Sequence, residues 1–416
     1  MLGAAALHRS NAQAPDLVSR LATALAAQRG AITRDLWASV AGHAPLRQPM
    51  LDSRDSVAIT FLFDGDSGST RSVALQGGPA RLVDSMKTRL SRIAGTNVWR
   101  ATFVVPTQAR FLYTFGVVSA GDTTRRVVRD TFNVRTAAQA PGLTSSLFEG
   151  LAARSLELSV VRPGVPTGSL TPSTYESKTL GQTRRIWTYL PPRFATSQRL
   201  PLLVVFDGAP YTNAGYVPTQ TILDNLIAAQ RIRPVVVVFI DTPQPSRQVD
   251  LWLSAPFADF VTDELIPWAR RIYGLSTDAT ETAAAGSSLG GLTAMFIALR
   301  KPTIVARVIS QSGSYWTGMR AGSDADKAPE WMARAVASKP HLPIDIWMEV
   351  GAYESAGSNE IGMMPTNRRL RDLLRSKGYS VDYSEFAGGH EYINWRASFG
   401  DALVHVFASD SGARRH

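Results

Sequence analysis

Two unbroken apolar runs constrain this chain more than any other feature: Leu202 to Phe206 in "LPLLVVFDG" and Val235 to Ile240 in "RPVVVVFID". Both fall far short of the roughly 20 residues a membrane-crossing helix needs. With no polar residue at alternate positions, they read as strands covered on both faces, which is the signature of a parallel sheet packed between helices. The runs "RRIWTYLP", "TAAAG", "RVISQSGS", "IDIWMEVG" and "VDYSEFAGG" continue the pattern. Helical spacing separates them at Thr219 to Gln230, Ala258 to Tyr273, Leu289 to Arg300, Asn367 to Lys377 and Asn394 to Ala408. Alternation of this kind predicts an α/β fold with a mostly parallel sheet over residues 176–410.

The first third has a different rhythm. Residues 1–34 carry helical spacing at Leu17, Leu21 and Leu25, with a break expected at Gly30. Over 35–140, "SVAITFLFDGDSGSTRSVALQGG", "NVWRATFVVP" and "RFLYTFGVV" alternate apolar and polar residues between Gly, Asp and Pro boundaries, predicting a small antiparallel β-sandwich. Residues 141–175, rich in Ser, Pro, Gly and Thr, read as the linker.

Composition removes whole classes of chemistry. There is no cysteine, so disulfides, thiolate nucleophiles and cysteine-based metal sites are excluded. No His-x-x-x-His or acidic cluster points to a metal, and the glycines of "GSSLGGL" fit neither a P-loop nor a dinucleotide fingerprint, so no cofactor is expected. Net charge is +10, with 44 basic residues. That excess reads either as an arginine bias without functional content or as a field favouring anionic ligands; its scattered pairs lack the aromatic interleaving of a nucleic-acid surface. The opening "MLGAAALHRSNAQAPD" lacks the basic region and long apolar run of a secretory signal, and reads as no signal or the remnant of one.

The chemistry lies in "TAAAGSSLGGL". A nucleophile on a sharp strand-to-helix turn needs small residues two places before and after it. Only Gly286-Ser287-Ser288-Leu289-Gly290 has that register, which selects Ser288 over Ser287. The Leu289 N–H at the start of the following helix is one expected oxyanion donor, and Gly208 or Ala209, after "LLVVFDG", is the other. A serine hydroxyl needs a base. Of six histidines, His405 falls in the terminal helical stretch and His416 is the last residue, so His390 in "SEFAGGHEYINW" alone occupies the loop after the last strand, where an α/β-hydrolase keeps its base. The acid belongs between these two, after "IDIWMEVG": Glu354 fits best, with Glu360, Glu349 and Asp382 as rivals.

These stretches resemble the enterochelin (enterobactin) esterase family. "GSSLGGL", "ISQSGSYW" and "GGHEYINW" are similar to its elbow, the strand and loop that follow, and its histidine loop. "LWASVAGHAPL" and "MKTRLSRIAGTNVW" resemble its immunoglobulin-like N-terminal domain, and "RDTFNV" that domain's exit, with Phe132 and Val134 departing from the usual pattern. "SRQVDLWLSAPFADFVTDELIPW" is similar to a further family stretch, with Asp250 where the family usually has Glu.

The resemblance implies Ser288 as nucleophile, His390 as base and Glu354 as acid. It implies an anionic substrate, the cyclic triester of dihydroxybenzoylserine, usually as its ferric complex, so iron arrives with the substrate. Arg184, Arg185, Arg247, Tyr211 and Trp316 are then candidates for catecholate contacts by charge or stacking, or else surface arginines and packing aromatics. The family's two-domain members are usually cytoplasmic, with a periplasmic location as the alternative here. Related domains cleave feruloyl or acetyl esters of carbohydrates or transfer acyl groups, and a non-catalytic siderophore binder is the remaining expectation.

Overall fold

The computed structural model describes residues 16–409 apart from 67, 84, 141, 321 and 355–360. The chain forms two compact units: one runs to Ala153 and takes in Ala387–Glu391, the other comprises Arg154–Phe386 and the chain from Tyr392 onward.

The larger unit is built on an eight-stranded sheet. Its strands are β1 (Ser169–Ser177), β2 (Gln182–Leu190), β3 (Leu202–Val205), β4 (Val236–Ile240), β5 (Thr282–Ser287), β6 (Arg307–Gln311), β7 (Asp345–Gly351) and β8 (Ser380–Phe386). They lie in the order β1-β2-β4-β3-β5-β6-β7-β8. β1 and β2 are antiparallel to their neighbours, and the other pairs are parallel. The period-2 geometry of a strand explains the apolar runs. Leu202, Val204, Val236, Val238 and Ile240 pack in one core, while Leu203, Val205, Val237 and Phe239 pack in the other. Each fully buried side chain of this kind contributes about 1.5–3 kcal/mol.

Helix α1 (Leu289–Arg300) is buried from Leu289 to Leu299, which is why its apolar residues show no polar stripe. The last helix, α2 (Tyr392–Phe407), packs Phe399, Leu403 and Val406 into the core that holds Val205 and Phe239. From β3 the chain moves to β4 on one side, and β5 then joins β3 on the other. This reversal is a topological switch point, and the carboxyl ends of β3 and β5 beside it are where doubly wound sheets bind ligands.

The smaller unit is all-β apart from its N-terminal helices and a short 3-10 turn. One sheet has Ser56–Asp64 and Val98–Pro106 at its centre; the other is centred on Arg110–Ser119. Phe61, Phe111, Tyr113, Phe115 and Phe148 fill its core. Tyr113 donates to Asp130 Oδ2 at 2.7 Å, and burial raises the Asp130 carboxyl to about 6. Phe132 stacks on Trp37 with ring centroids 4.6 Å apart. The "LWAS" and "RDTFNV" stretches thus hold each other.

Three sequence expectations need correcting. Gly30 does not break a helix: it lies exposed inside Ala26–Val40, and the interruption falls at residues 24–25. That helix also runs past residue 34, because Leu36 and Val40 are core residues packed with Leu46 and Leu62. The presumed linker 141–175 contains two strands, Leu143–Glu149 of the sandwich and β1 of the main sheet. Pro172 disguised β1, and it is tolerated because β1 is an edge strand paired only with β2.

Candidate active site

Three adjacent strands, β3, β5 and β6, are each followed by a non-glycine residue in left-handed backbone. Asp207 has φ 56°, Ser288 φ 59° and Ser312 φ 49°. Such conformations cost on the order of 1–3 kcal/mol and cluster where function needs a strained turn. Ser288 is the N-cap of α1, at φ 59° and ψ −120°. Its N–H donates to the Gln311 carbonyl at 2.9 Å, and its own carbonyl accepts the Ser314 N–H at 3.1 Å. The β6 end therefore grips the elbow on both sides.

Ser287 closes β5 and is buried, whereas Ser288 is half-buried with its Oγ 3.3 Å from Ser314 Oγ. The small-residue requirement falls chiefly on Gly286, where a Cβ would lie 2.7 Å from the Gly290 carbonyl carbon. At Gly290 a Cβ would meet only ordinary contacts, 3.5 Å from Phe206 and Asp207; the further tight position is Gly291, 2.7 Å from Ser310 Oγ. Gly291 lies outside the pentapeptide register that sequence reasoning used.

The Leu289 N–H is the first of α1, and first-turn N–H groups have no intrahelical acceptor. Gly208 and Ala209 begin the short helix Gly208–Tyr211 directly after β3. The Phe206 N–H donates to the Ala285 carbonyl at 2.9 Å, tying the start of this loop to the strand that leads into the elbow. Both expected donor segments thus follow the carboxyl ends of the paired strands β3 and β5.

Glu354 lies in a 3-10 turn after β7 and is buried. Its Oε1 accepts from Ser312 Oγ at 2.6 Å and from the Gly351 N–H at 2.9 Å. Of its rivals, Glu349 is fully buried within β7 and Asp382 sits on β8, 3.4 Å from His405 Nδ1. Glu360 is outside the described residues. The main sheet's carboxyl edge therefore gathers Ser288, Leu289, Gly208, Ala209 and Glu354. His390 follows β8 on the loop Ala387–Glu391, which groups with the sandwich unit and is fixed there by the Arg110 N–H donating to the Ala387 carbonyl at 2.9 Å.

The candidate catecholate contacts divide. Tyr211 has no exposed surface, and its hydroxyl donates to Gln311 Oε1 at 2.7 Å, so it is a core residue. Arg184 is also buried, in a two-point pair with Asp250 at 2.8 and 2.9 Å. Arg247 clamps Asp207 with two bonds of 2.7 Å, and Thr242 Oγ1 adds a third to the same carboxylate. Its job is to hold the left-handed Asp207 turn. Arg185 pairs with Asp241 beyond β4, lies 4.7 Å over the Trp187 ring and stays half-exposed. Trp316 is half-buried, edge-on to Trp252 at 5.7 Å. Sequence reasoning missed Asp207, Ser312 and Ser314. "SQSGS" and "FDG" contain them, but a left-handed φ on a serine or aspartate leaves no pattern in a single sequence.

Removing the Arg247 charge leaves Asp207, 4% exposed, without its counter-ion. Arg247→Met is expected to lower unfolding stability by about 3 kcal/mol. Urea denaturation checks this, with a shift in midpoint at constant slope as the readout.

The model of the Esterase family, a family described as putative esterases, matches residues 177–406. The chain is 27% identical over 403 residues to an iron(III) enterobactin esterase of Dickeya dadantii (strain 3937), covering 88% of this chain and 92% of that one. It is 28% identical over 342 residues to the iron(III) enterobactin esterase of Escherichia coli (strain K12), covering 78% and 83%. The crystal structure of an enterobactin esterase from Shigella flexneri, determined in the presence of enterobactin, superposes with a TM-score of 0.69 at 24% identity, over 89% of this chain and 97% of that one. That likeness shows the shared fold.

Proposed function

Because the chain belongs to the Esterase family, and is thus a carboxylic ester hydrolase, we propose that it hydrolyses the serine-ester bonds of a catecholate siderophore of the enterobactin type. The observation that carries this reading is the span of the likeness to the Dickeya enterobactin esterase, 403 residues and 92% of that chain, which takes in the sandwich as well as the hydrolase unit.

In the proposed reaction Ser288 Oγ attacks the ester carbonyl as His390 takes its proton. The Leu289 N–H and a Gly208 or Ala209 N–H hold the resulting oxyanion, where fixed donors need no reorganisation. His390 then protonates the departing serine hydroxyl, leaving the acyl group on Ser288. Water, deprotonated by His390, attacks the acyl-enzyme and releases the acid. Glu354 supports the base from the turn after β7. Each cycle adds one water across one ester, so three would convert the cyclic triester to monomers and weaken its hold on the iron it carries. Arg185 and Trp316 are the proposed contacts for the anionic, aromatic substrate. Its place of action is proposed to be the cytoplasm.

The test is kcat/KM of the wild type and Ser288→Ala on ferric enterobactin, a feruloyl ester and a p-nitrophenyl ester. Serine-dependent preference for the siderophore supports the proposal, and turnover of the feruloyl ester alone overturns it. The net charge of +10 adds a second expectation. An anionic substrate is drawn to a cationic protein through a field that salt screens with a Debye length of about 10 Å at 0.1 M. kcat/KM for the ferric complex is expected to fall several-fold between about 0.05 and 0.5 M salt, while that for a neutral p-nitrophenyl ester changes little.

A further inference from the structure

Behind the elbow lies a knot of polar groups that the proposed chemistry does not use. Gln311, the last residue of β6, is fully buried. Its backbone carbonyl receives the Ser288 N–H. Its side-chain Nε2 donates to Glu349 Oε1 and to the Trp395 carbonyl, both at 2.9 Å, and lies 2.9 Å from Ser398 Oγ. Ser398 Oγ also donates to Glu349 Oε1. Glu349 returns to the turn after β6 as well, its backbone carbonyl accepting the Ser312 N–H at 2.8 Å. Trp395 Nε1 donates to Ser312 Oγ at 3.0 Å, and Ser312 Oγ reaches Glu354. One carboxyl thus joins the strand end that holds Ser288 to α2, the helix that starts two residues after His390.

We propose that Glu349 is a positioning residue for this site: as an uncharged acid it locks the Gln311 side chain between β6 and α2, so that the backbone holding Ser288 and the helix following His390 keep one register. The inference rests on the reading of Ser288 as nucleophile.

The neutral form follows from the surroundings. Glu349 has no exposed surface. Its hydrogen-bonding partners, Gln311 and Ser398, are both uncharged and both engage Oε1, while buried Oε2 has no partner among the described residues. An ionised carboxylate there would leave one charged oxygen unsolvated, which is strongly unfavourable. The charged groups that act on it oppose each other: Arg154, which is half-exposed and paired with Asp401 at 3.3 Å, favours ionisation, and Glu354 disfavours it. Tyr211, on the far side of Gln311, is held un-ionised by its own burial. Burial dominates and pushes the Glu349 carboxyl up to about 7. The acid form is present below that pH; above it the bonds donated by Gln311 and Ser398 favour the carboxylate, but the charged, unpartnered Oε2 must be solvated, and the water this draws in opens the knot.

The test is the pH dependence of kcat on a p-nitrophenyl ester, together with the rate at which a fluorophosphonate labels Ser288, for the wild type, Glu349→Gln and Glu349→Leu. The amide of Glu349→Gln can still accept the bonds from Gln311 and Ser398 and cannot ionise. It is expected to keep kcat within about threefold at the wild-type optimum and to lose the wild-type alkaline decline, whose midpoint should lie near the value set by Glu349. Glu349→Leu is expected to lower kcat and Ser288 labelling at least about tenfold with KM changed less than threefold. An alkaline decline unchanged in Glu349→Gln overturns the proposal, as does a folded Glu349→Leu with wild-type kcat. If Glu349→Leu does not fold, the Glu349→Gln profile decides alone. Full turnover by Ser288→Ala would instead sink the nucleophile assignment, a separate outcome.

Discussion

Ser288→Ala is expected to lower kcat for ester hydrolysis by about 10⁴-fold or more, with the fold intact. The magnitude is that of removing the nucleophile from a working triad, where the oxyanion donors and binding remain but no acyl-enzyme can form. Ser288 alone stands on the strained turn, at φ 59°, with the start of α1 directly after it. Ser287 is buried at the end of β5, so Ser287→Ala should leave kcat within about tenfold. The pair of variants, assayed by initial rates on a p-nitrophenyl ester, separates two neighbouring hydroxyls that composition cannot distinguish. Comparable losses in both would mean that the turn, and not a particular hydroxyl, carries the activity.

His390→Ala is expected to cost about 10⁴-fold in kcat, by removing the group that accepts the Ser288 proton and returns it to the leaving hydroxyl. The other described histidine near the end of the chain is accounted for by structure: His405, in α2, has its Nε2 3.2 Å from Asp345 of β7, and that hydrogen bond raises its pKa. His405→Gln should therefore leave kcat near wild type. Partial rescue of His390→Ala by added imidazole is the signature of a missing base. A kcat for His390→Ala within about tenfold of wild type would place the base elsewhere.

The parts of this protein that follow from repeating patterns were legible in the sequence. The runs at Leu202 and Val235 announced a covered sheet because a strand buried on both faces has no polar alternate, and "GSSLGG" announced a turn because Gly286 must lie against Gly290. What depends on burial was not legible. Tyr211 and Arg247 looked like ligand contacts because both residue types serve that purpose on surfaces, yet one is a core donor to Gln311 and the other the clamp of Asp207. Side-chain type gives no hint of which partner an arginine finds in the fold. β1 hid for the opposite reason: Pro172 and its polar neighbours read as linker, and only its place at the sheet edge makes a strand of that composition tolerable. Asp207 and Ser312 were invisible because left-handed backbone on a non-glycine residue is imposed by the surrounding contacts.

The most direct test of the central claim is chromatography with mass detection of the products formed from ferric enterobactin. The wild type should yield linear trimer, then dimer and dihydroxybenzoylserine, each step adding the mass of one water, and Ser288→Ala should leave the cyclic triester intact. Intact triester with the wild type, or the same products at the same rate from Ser288→Ala, would contradict the account.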